Sequence, residues 1–122
     1  MKPHVVLMAA ATLLAGCNST GNLRNTKPTA VYEGRGSVAD IASCVSGAWS
    51  AKPVHLESDV LYTGTTIEIH STADGPTMAL VDIKPVSDRT VATYYSAFNE
   101  DDSWYFEQVE RCVDSTPPPA DG

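Results

Sequence analysis

The chain has 122 residues, 43% of them hydrophobic, and a formal net charge of −7 at pH 7. That length supports one small domain with its own hydrophobic core, and not two. Because an acidic chain is repelled by phosphate backbones, the charge excludes nucleic-acid binding as a function.

The N-terminus joins a short basic start to an apolar stretch. Lys2 precedes the run from Val5 to Ala15, which has 11 residues and spans roughly 16 Å as a helix, about half of a bilayer core. The run is therefore too short to cross a membrane and is typical of a secretory signal peptide. It ends in small residues and a cysteine, Leu14-Ala15-Gly16-Cys17. The alternative is an ordinary buried helix with a chance cysteine.

This motif resembles the lipobox of bacterial lipoprotein precursors. The resemblance covers the first 17 residues and implies that residues 1–16 are a signal peptide. It also implies that Cys17 becomes the first residue of the mature chain and carries a diacylglyceryl thioether and an N-acyl group such as palmitate. Two or more acyl chains anchor a protein stably. Asn18, rather than an aspartate, follows the cysteine. In enteric members of that family this favours the outer membrane, with the domain facing the periplasm.

Residues 17–36 are predicted to be the lipidated cysteine and a flexible tether, because they are rich in Asn, Thr, Ser and Gly and lack an apolar period. Val31 and Tyr32 offer an alternative, since they could dock onto the domain as an edge segment. The segment 18–36 has a net charge of +2, whereas 37–114 has −9. Such a separation suits an acidic body that stands away from anionic headgroups.

Two cysteines remain after Cys17 is assigned to lipid. In an oxidising periplasm, Cys44 and Cys112 are expected to form a disulfide. The alternatives are two free buried cysteines or a metal pair, and the metal pair is disfavoured because no second Cys or His lies at ligand spacing from either.

The segment 37–114 is predicted to be a small α+β domain. A helix over 37–50 is capped by Ser37. Two alternating strand pieces follow within 54–71, separated by a loop or ragged hairpin over 59–64. Further strands are predicted over 77–84 and 90–98, then a second helix after the acidic residues 99–103, and a disordered tail over 115–122.

The predicted fold is therefore helix, three- or four-stranded antiparallel meander, helix. Both helices would lie on one face of the sheet in a two-layer arrangement, and the Cys44–Cys112 disulfide requires them to be neighbours.

One candidate metal site depends on how the two pieces of 54–71 pair. An antiparallel register can place His55 opposite His70 and Glu57 opposite Glu68, all on one face. Two imidazoles and two carboxylates can bind zinc. Opposed glutamates repel each other, however, and alternating polar residues on a solvated face are the ordinary explanation, which the sequence favours.

A candidate partner surface comes from strands that are apolar on both faces. Two helices cover one face of the sheet, so the other face is predicted to expose an apolar patch made of Met78, Leu80, Tyr94 and Phe98. The alternative is that Val31 and Tyr32 or the C-terminal tail cover that face.

The sequence contains no recognisable catalytic or cofactor motif, so the protein is predicted not to be an enzyme and to need no cofactor. The leading hypothesis is a lipid-anchored envelope lipoprotein whose acidic domain binds another envelope protein in an assembly, secretion-accessory or adaptor role. Self-association is a variant of it. The alternatives are an inhibitor or immunity-type protein against a basic hydrolase such as a lysozyme, and a zinc-binding lipoprotein.

Overall fold

The computed structural model describes residues 20–120. The predicted signal peptide, Cys17 and the last two residues lie outside this range. The elements in chain order are α1 (Thr20–Arg24), β1 (Ala30–Gly34), α2 (Val38–Trp49), β2 (His55–Leu61), β3 (Gly64–His70), β4 (Thr77–Val86), β5 (Arg89–Ser96) and α3 (Ser103–Ser115). The α+β class is confirmed, and no helix in this range is long and apolar enough to span a membrane.

The sheet has five strands in the order β1-β5-β4-β3-β2, and every neighbouring pair is antiparallel. Strands β2 to β5 form the predicted meander. The helix α1 lies inside the segment 17–36 that the sequence predicted as a flexible tether, and so does the fifth strand, β1. Strand β1 pairs with β5 from Ala30 opposite Tyr94 to Gly34 opposite Thr90, so Val31 and Tyr32 take the docked edge position that was the alternative.

Helices α2 and α3 pack side by side on one face of the sheet, as predicted. The side chain of Ser37 caps α2 by accepting a hydrogen bond of 3.0 Å from the backbone N–H of Asp40. The disulfide between Cys44 and Cys112 joins the two helices, with a Cα–Cα distance of 5.7 Å. This covalent link is confirmed, and it fixes the two helices as neighbours.

Trp49 lies at the centre of the core between the helices and the sheet. It is completely buried, and its Nε1 donates a hydrogen bond of 3.0 Å to the carbonyl oxygen of Tyr105. Tyr94 meets Trp49 edge-on at a ring-centroid distance of 6.2 Å, a preferred geometry for aromatic pairs. The hydroxyl of Tyr94 donates to a carboxylate oxygen of Asp102 at 2.9 Å. Burial of the ring, together with that carboxylate, raises the pKa of Tyr94 far above its ordinary value.

Helix α1 covers part of the opposite face of the sheet. Successive strand residues point to opposite faces, so Asp82 points away from the core side chains of its neighbours Val81 and Ile83. Arg24 donates two hydrogen bonds of 2.7 Å to the Asp82 carboxylate, and Leu23 is buried beside it. The sheet face opposite α2 and α3 is therefore partly covered by α1.

The predicted partner surface is wrong as a single exposed patch. Leu80 and Tyr94 are completely buried, and they point to opposite faces because Leu80 pairs with Tyr95, whereas Tyr94 pairs with Val81. Met78 and Phe98 are partly buried against the helix-side core. The ladder between β3 and β4 is irregular next to Ile69 and His70, and an irregularity of this kind re-aims side chains.

Candidate functional site

The β2–β3 hairpin brings together the four residues of the predicted metal site. His55 lies opposite His70, Leu56 opposite Ile69 and Glu57 opposite Glu68, so the predicted register is confirmed. Ile69 belongs to the core under the helices. The four polar side chains therefore lie on the face that α2 and α3 do not cover.

His70 occupies a buried position with a fixed ring. Its side chain is 10% exposed, its Nδ1 lies 2.9 Å from the carbonyl oxygen of Gly75, and its Nε2 lies 2.9 Å from Oε1 of Glu68. Burial alone lowers the pKa of His70, but the hydrogen bonds to Gly75 and Glu68 outweigh it and the net pKa is raised. The ring is therefore held by two acceptors, and Nε2 points at a carboxylate.

Glu57 lies between the two imidazole rings. Its Oε1 is 3.9 Å from Nε2 of His70, and its Oε2 is 3.4 Å from Nε2 of His55. The side chains of His55 and Glu57 are 41% and 52% exposed, whereas that of Glu68 is only 17% exposed. The solvated-face explanation thus fits β2, but the β3 half of the cluster is shielded from water.

One ligand atom from each of Glu57, Glu68 and His70 lies within 4.8 Å of the other two. These are the residues that could hold a metal ion, since an imidazole nitrogen and two carboxylate oxygens are ordinary zinc ligands. His55 lies next to this group through Glu57.

A second candidate feature is an apolar groove between α2 and the β2–β3 hairpin. The groove has a volume of about 530 Å³ and is lined mainly by Val38, Ala39, Ala42, Ser58, Val60 and Leu61; we call it the hairpin groove. Val60 and Leu61 are 81% and 54% exposed, and the neighbouring Tyr62 is fully exposed. Large apolar side chains at such exposure mark an interaction surface when they are contiguous.

Strand β2 also forms one edge of the sheet, because it pairs only with β3. Its outer backbone N–H and C=O groups have no neighbouring strand within residues 20–120. An exposed edge of this kind can accept an extended segment from another chain. The hairpin groove and this edge belong to the same hairpin.

The sequence patterns missed the hairpin groove. The sequence predicts a loop or ragged hairpin over 59–64, and that prediction does not indicate that Val60, Leu61 and Tyr62 form an exposed apolar surface. A run of three large apolar residues beside a tight connection was the available signal.

No family model, curated protein or solved structure matches the chain.

Proposed function

We propose that the protein is a non-catalytic, lipid-anchored lipoprotein of the bacterial cell envelope whose acidic domain binds another envelope protein. The partner would dock on the hairpin groove and the free edge of β2. The role is that of an assembly factor, secretion accessory or adaptor.

The proposed location rests on the Leu14-Ala15-Gly16-Cys17 motif and is supported by the disulfide. Cys44 and Cys112 are bonded to each other, which suits an oxidising compartment such as the periplasm. Their pairing leaves Cys17 as the remaining cysteine of the chain, as lipidation requires.

The proposed activity rests mainly on the exposure of Val60, Leu61 and Tyr62 beside the groove. Each large apolar side chain gains roughly 1.5–3 kcal/mol when it is removed from water, so a partner that covers all three gains several kcal/mol. Main-chain hydrogen bonds to the β2 edge add geometric specificity.

The partner's chemistry follows from shape and charge. An extended segment with apolar side chains at alternate positions fits both the edge and the groove. The segment 37–114 carries a net charge of −9, so basic residues flanking the docked segment accelerate association.

Site-specific photo-crosslinking in cells tests this proposal. A photoreactive amino acid replaces Val60 in one strain and Asp74, which is exposed on the turn between β3 and β4, in a control strain. We expect one recurrent envelope protein to be captured from position 60 and not from position 74. The substitution Ala39→Glu, which places a charge in the groove, should reduce that capture at unchanged protein level. Capture that is equal at both positions, or insensitive to Ala39→Glu, contradicts docking at the groove.

The exposed face of α3 favours a second candidate, the inhibitor of a basic hydrolase. Glu107, Glu110 and Asp114 line a shallow depression there together with Arg111. Burial raises the pKa of Tyr32, and these three carboxylates raise it further. A photoreactive residue at position 107 that captures a cationic hydrolase, together with salt-dependent inhibition of that enzyme, would support this candidate over the adaptor.

A further inference from the structure

We propose that Glu57, Glu68 and His70 form a binding site for a divalent transition metal, with zinc as the best fit and His55 as an additional ligand. This site is on the sheet face opposite the hairpin groove, so it does not depend on the partner-binding function.

The donor atoms select the class of metal. Calcium and magnesium prefer sites made only of oxygen atoms, whereas an imidazole nitrogen with two carboxylates suits zinc and its first-row neighbours. The three ligand atoms come from adjacent strands of one hairpin. One paired hairpin therefore positions all three ligand atoms.

The distances match a tetrahedral zinc ion after small side-chain rotations. Ligand atoms bound at about 2.0–2.1 Å lie about 3.4 Å apart at a tetrahedral angle. The separation from Nε2 of His70 is 2.9 Å to Oε1 of Glu68 and 3.9 Å to Oε1 of Glu57. The two values bracket the ideal separation.

The surroundings of His70 select the nitrogen that binds. Metal-binding histidines commonly donate their other ring N–H to a carbonyl or carboxylate. Here Nδ1 of His70 donates to the carbonyl oxygen of Gly75, whose own N–H donates to Thr72 at 3.0 Å within the turn. Nε2 is thus directed at the two glutamates. The hydroxyl of Thr77 donates to Oε1 of Glu68 at 3.3 Å and helps to orient that carboxylate.

The charges also favour a bound cation. Glu57 and Glu68 are directly opposed across the strand pair, an arrangement that destabilises a sheet. Arg24 acts on Glu68 electrostatically while it pairs with Asp82 at 2.7 Å. A dication between the two glutamates relieves their repulsion directly.

His55 can complete the coordination from the solvent side. Its ring centroid is 6.1 Å from that of His70, and its Nε2 is 3.4 Å from Oε2 of Glu57. Because the His55 side chain is 41% exposed, its ring can rotate toward the three inner ligands without disturbing the core.

Isothermal titration of the whole untagged chain in detergent with zinc chloride tests the site. We expect one zinc ion per chain. When cobalt(II) replaces zinc in a tetrahedral site, we expect intense visible absorption bands at longer wavelength than those of aqueous cobalt(II). Glu57→Gln and His70→Gln should each weaken zinc binding by at least about 10–100-fold, the loss that outer-shell changes alone cause. Glu57 is half exposed, so its substitution leaves the fold intact even if His70→Gln does not.

Glu33→Gln is the matched control, because Glu33 is a similarly exposed carboxylate on β1, at the other edge of the sheet. Its zinc affinity should equal that of the wild type, and His55→Ala should weaken binding. The absence of wild-type binding, or an affinity unchanged by Glu57→Gln, overturns the proposal. An affinity unchanged by His55→Ala removes His55 from the ligand set.

Discussion

The disulfide between α2 and α3 should contribute a large share of the stability of this domain. Cys44 and Cys112 are separated by 68 residues in sequence. In the chain-entropy model a loop of that length stabilises the folded state by about 4 kcal/mol at 25 °C, through its restriction of the unfolded chain. Since small domains have a total stability of about 5–15 kcal/mol, reduction should leave the fold marginal.

Urea unfolding of the oxidised and reduced protein measures this contribution. Reduction breaks the S–S bond but keeps both cysteine side chains as thiols, and Cys112 is 2% exposed within the core. The comparison therefore isolates the covalent link from changes in packing. We expect the free energy of unfolding to fall by about 4 kcal/mol on reduction, and the melting temperature by about 15–30 °C for a domain of this size.

Cys44→Ala provides the matched control. It should lose a similar free energy of unfolding without any reductant, show one free thiol at Cys112, and be insensitive to reduction. A difference below about 1 kcal/mol between the oxidised and reduced wild type would refute the reasoning. It would mean that the two helices are already close together in the unfolded chain.

Three further predictions address the anchor, the polar sheet face and a turn. Cys17→Ser should abolish incorporation of a radiolabelled fatty acid in cells, and persistent labelling would contradict the lipobox assignment. Burial raises the pKa of Asp82, but the hydrogen bonds from Arg24 outweigh burial and hold the pKa below its ordinary value. The Arg24–Asp82 pair therefore stabilises the fold above about pH 4, and this contribution is lost as the pH falls through the lowered pKa. Asp82→Asn should accordingly cost about 1.5–3 kcal/mol at neutral pH, toward the lower end because Arg24 is 37% exposed. The cost should shrink as the pH falls below about 4, and a cost in urea unfolding that stays constant on acidification would contradict this origin. Gly64→Ala should destabilise the fold by about 1–3 kcal/mol, because Gly64 has φ +148° and an added methyl group would meet the backbone of β4. Gly47→Ala is the control: Gly47 has open space around it, so this substitution should stabilise α2 by about 0.5–1 kcal/mol. Equal melting temperatures for the two variants would refute the argument.

Local patterns were sufficient for α2, α3 and the β2–β3 hairpin, but not for α1. The alternation of polar and apolar residues around Leu56 and Ile69 permits one register that buries both side chains, and β2 and β3 adopt it. The cap at Ser37 is equally local, since it involves only the N–H of Asp40. These features follow from short-range geometry that the sequence displays directly.

Non-local contacts explain what the sequence did not reveal. Strand β1 has only five residues, which alternate between half-buried and exposed. It forms a strand because it pairs with β5, which is distant in sequence. Leu80 and Tyr94 were assigned to one face, but a difference of one residue in pairing reverses the face of a side chain. The burial of His70 likewise depends on Gly75 and on the irregular ladder with β4.

The position of α1 determines how a lipid anchor would orient the domain. Only Asn18 and Ser19 separate Cys17 from the start of α1 at Thr20, so a lipid on Cys17 would sit within about 10 Å of the folded body. The bilayer and the domain would then be separated by a linker of only a few residues and not by a long flexible tether. The sheet face that carries α1 would be turned toward the headgroups, and the hairpin groove on the helix side would open away from the membrane, toward whatever approaches from the periplasm.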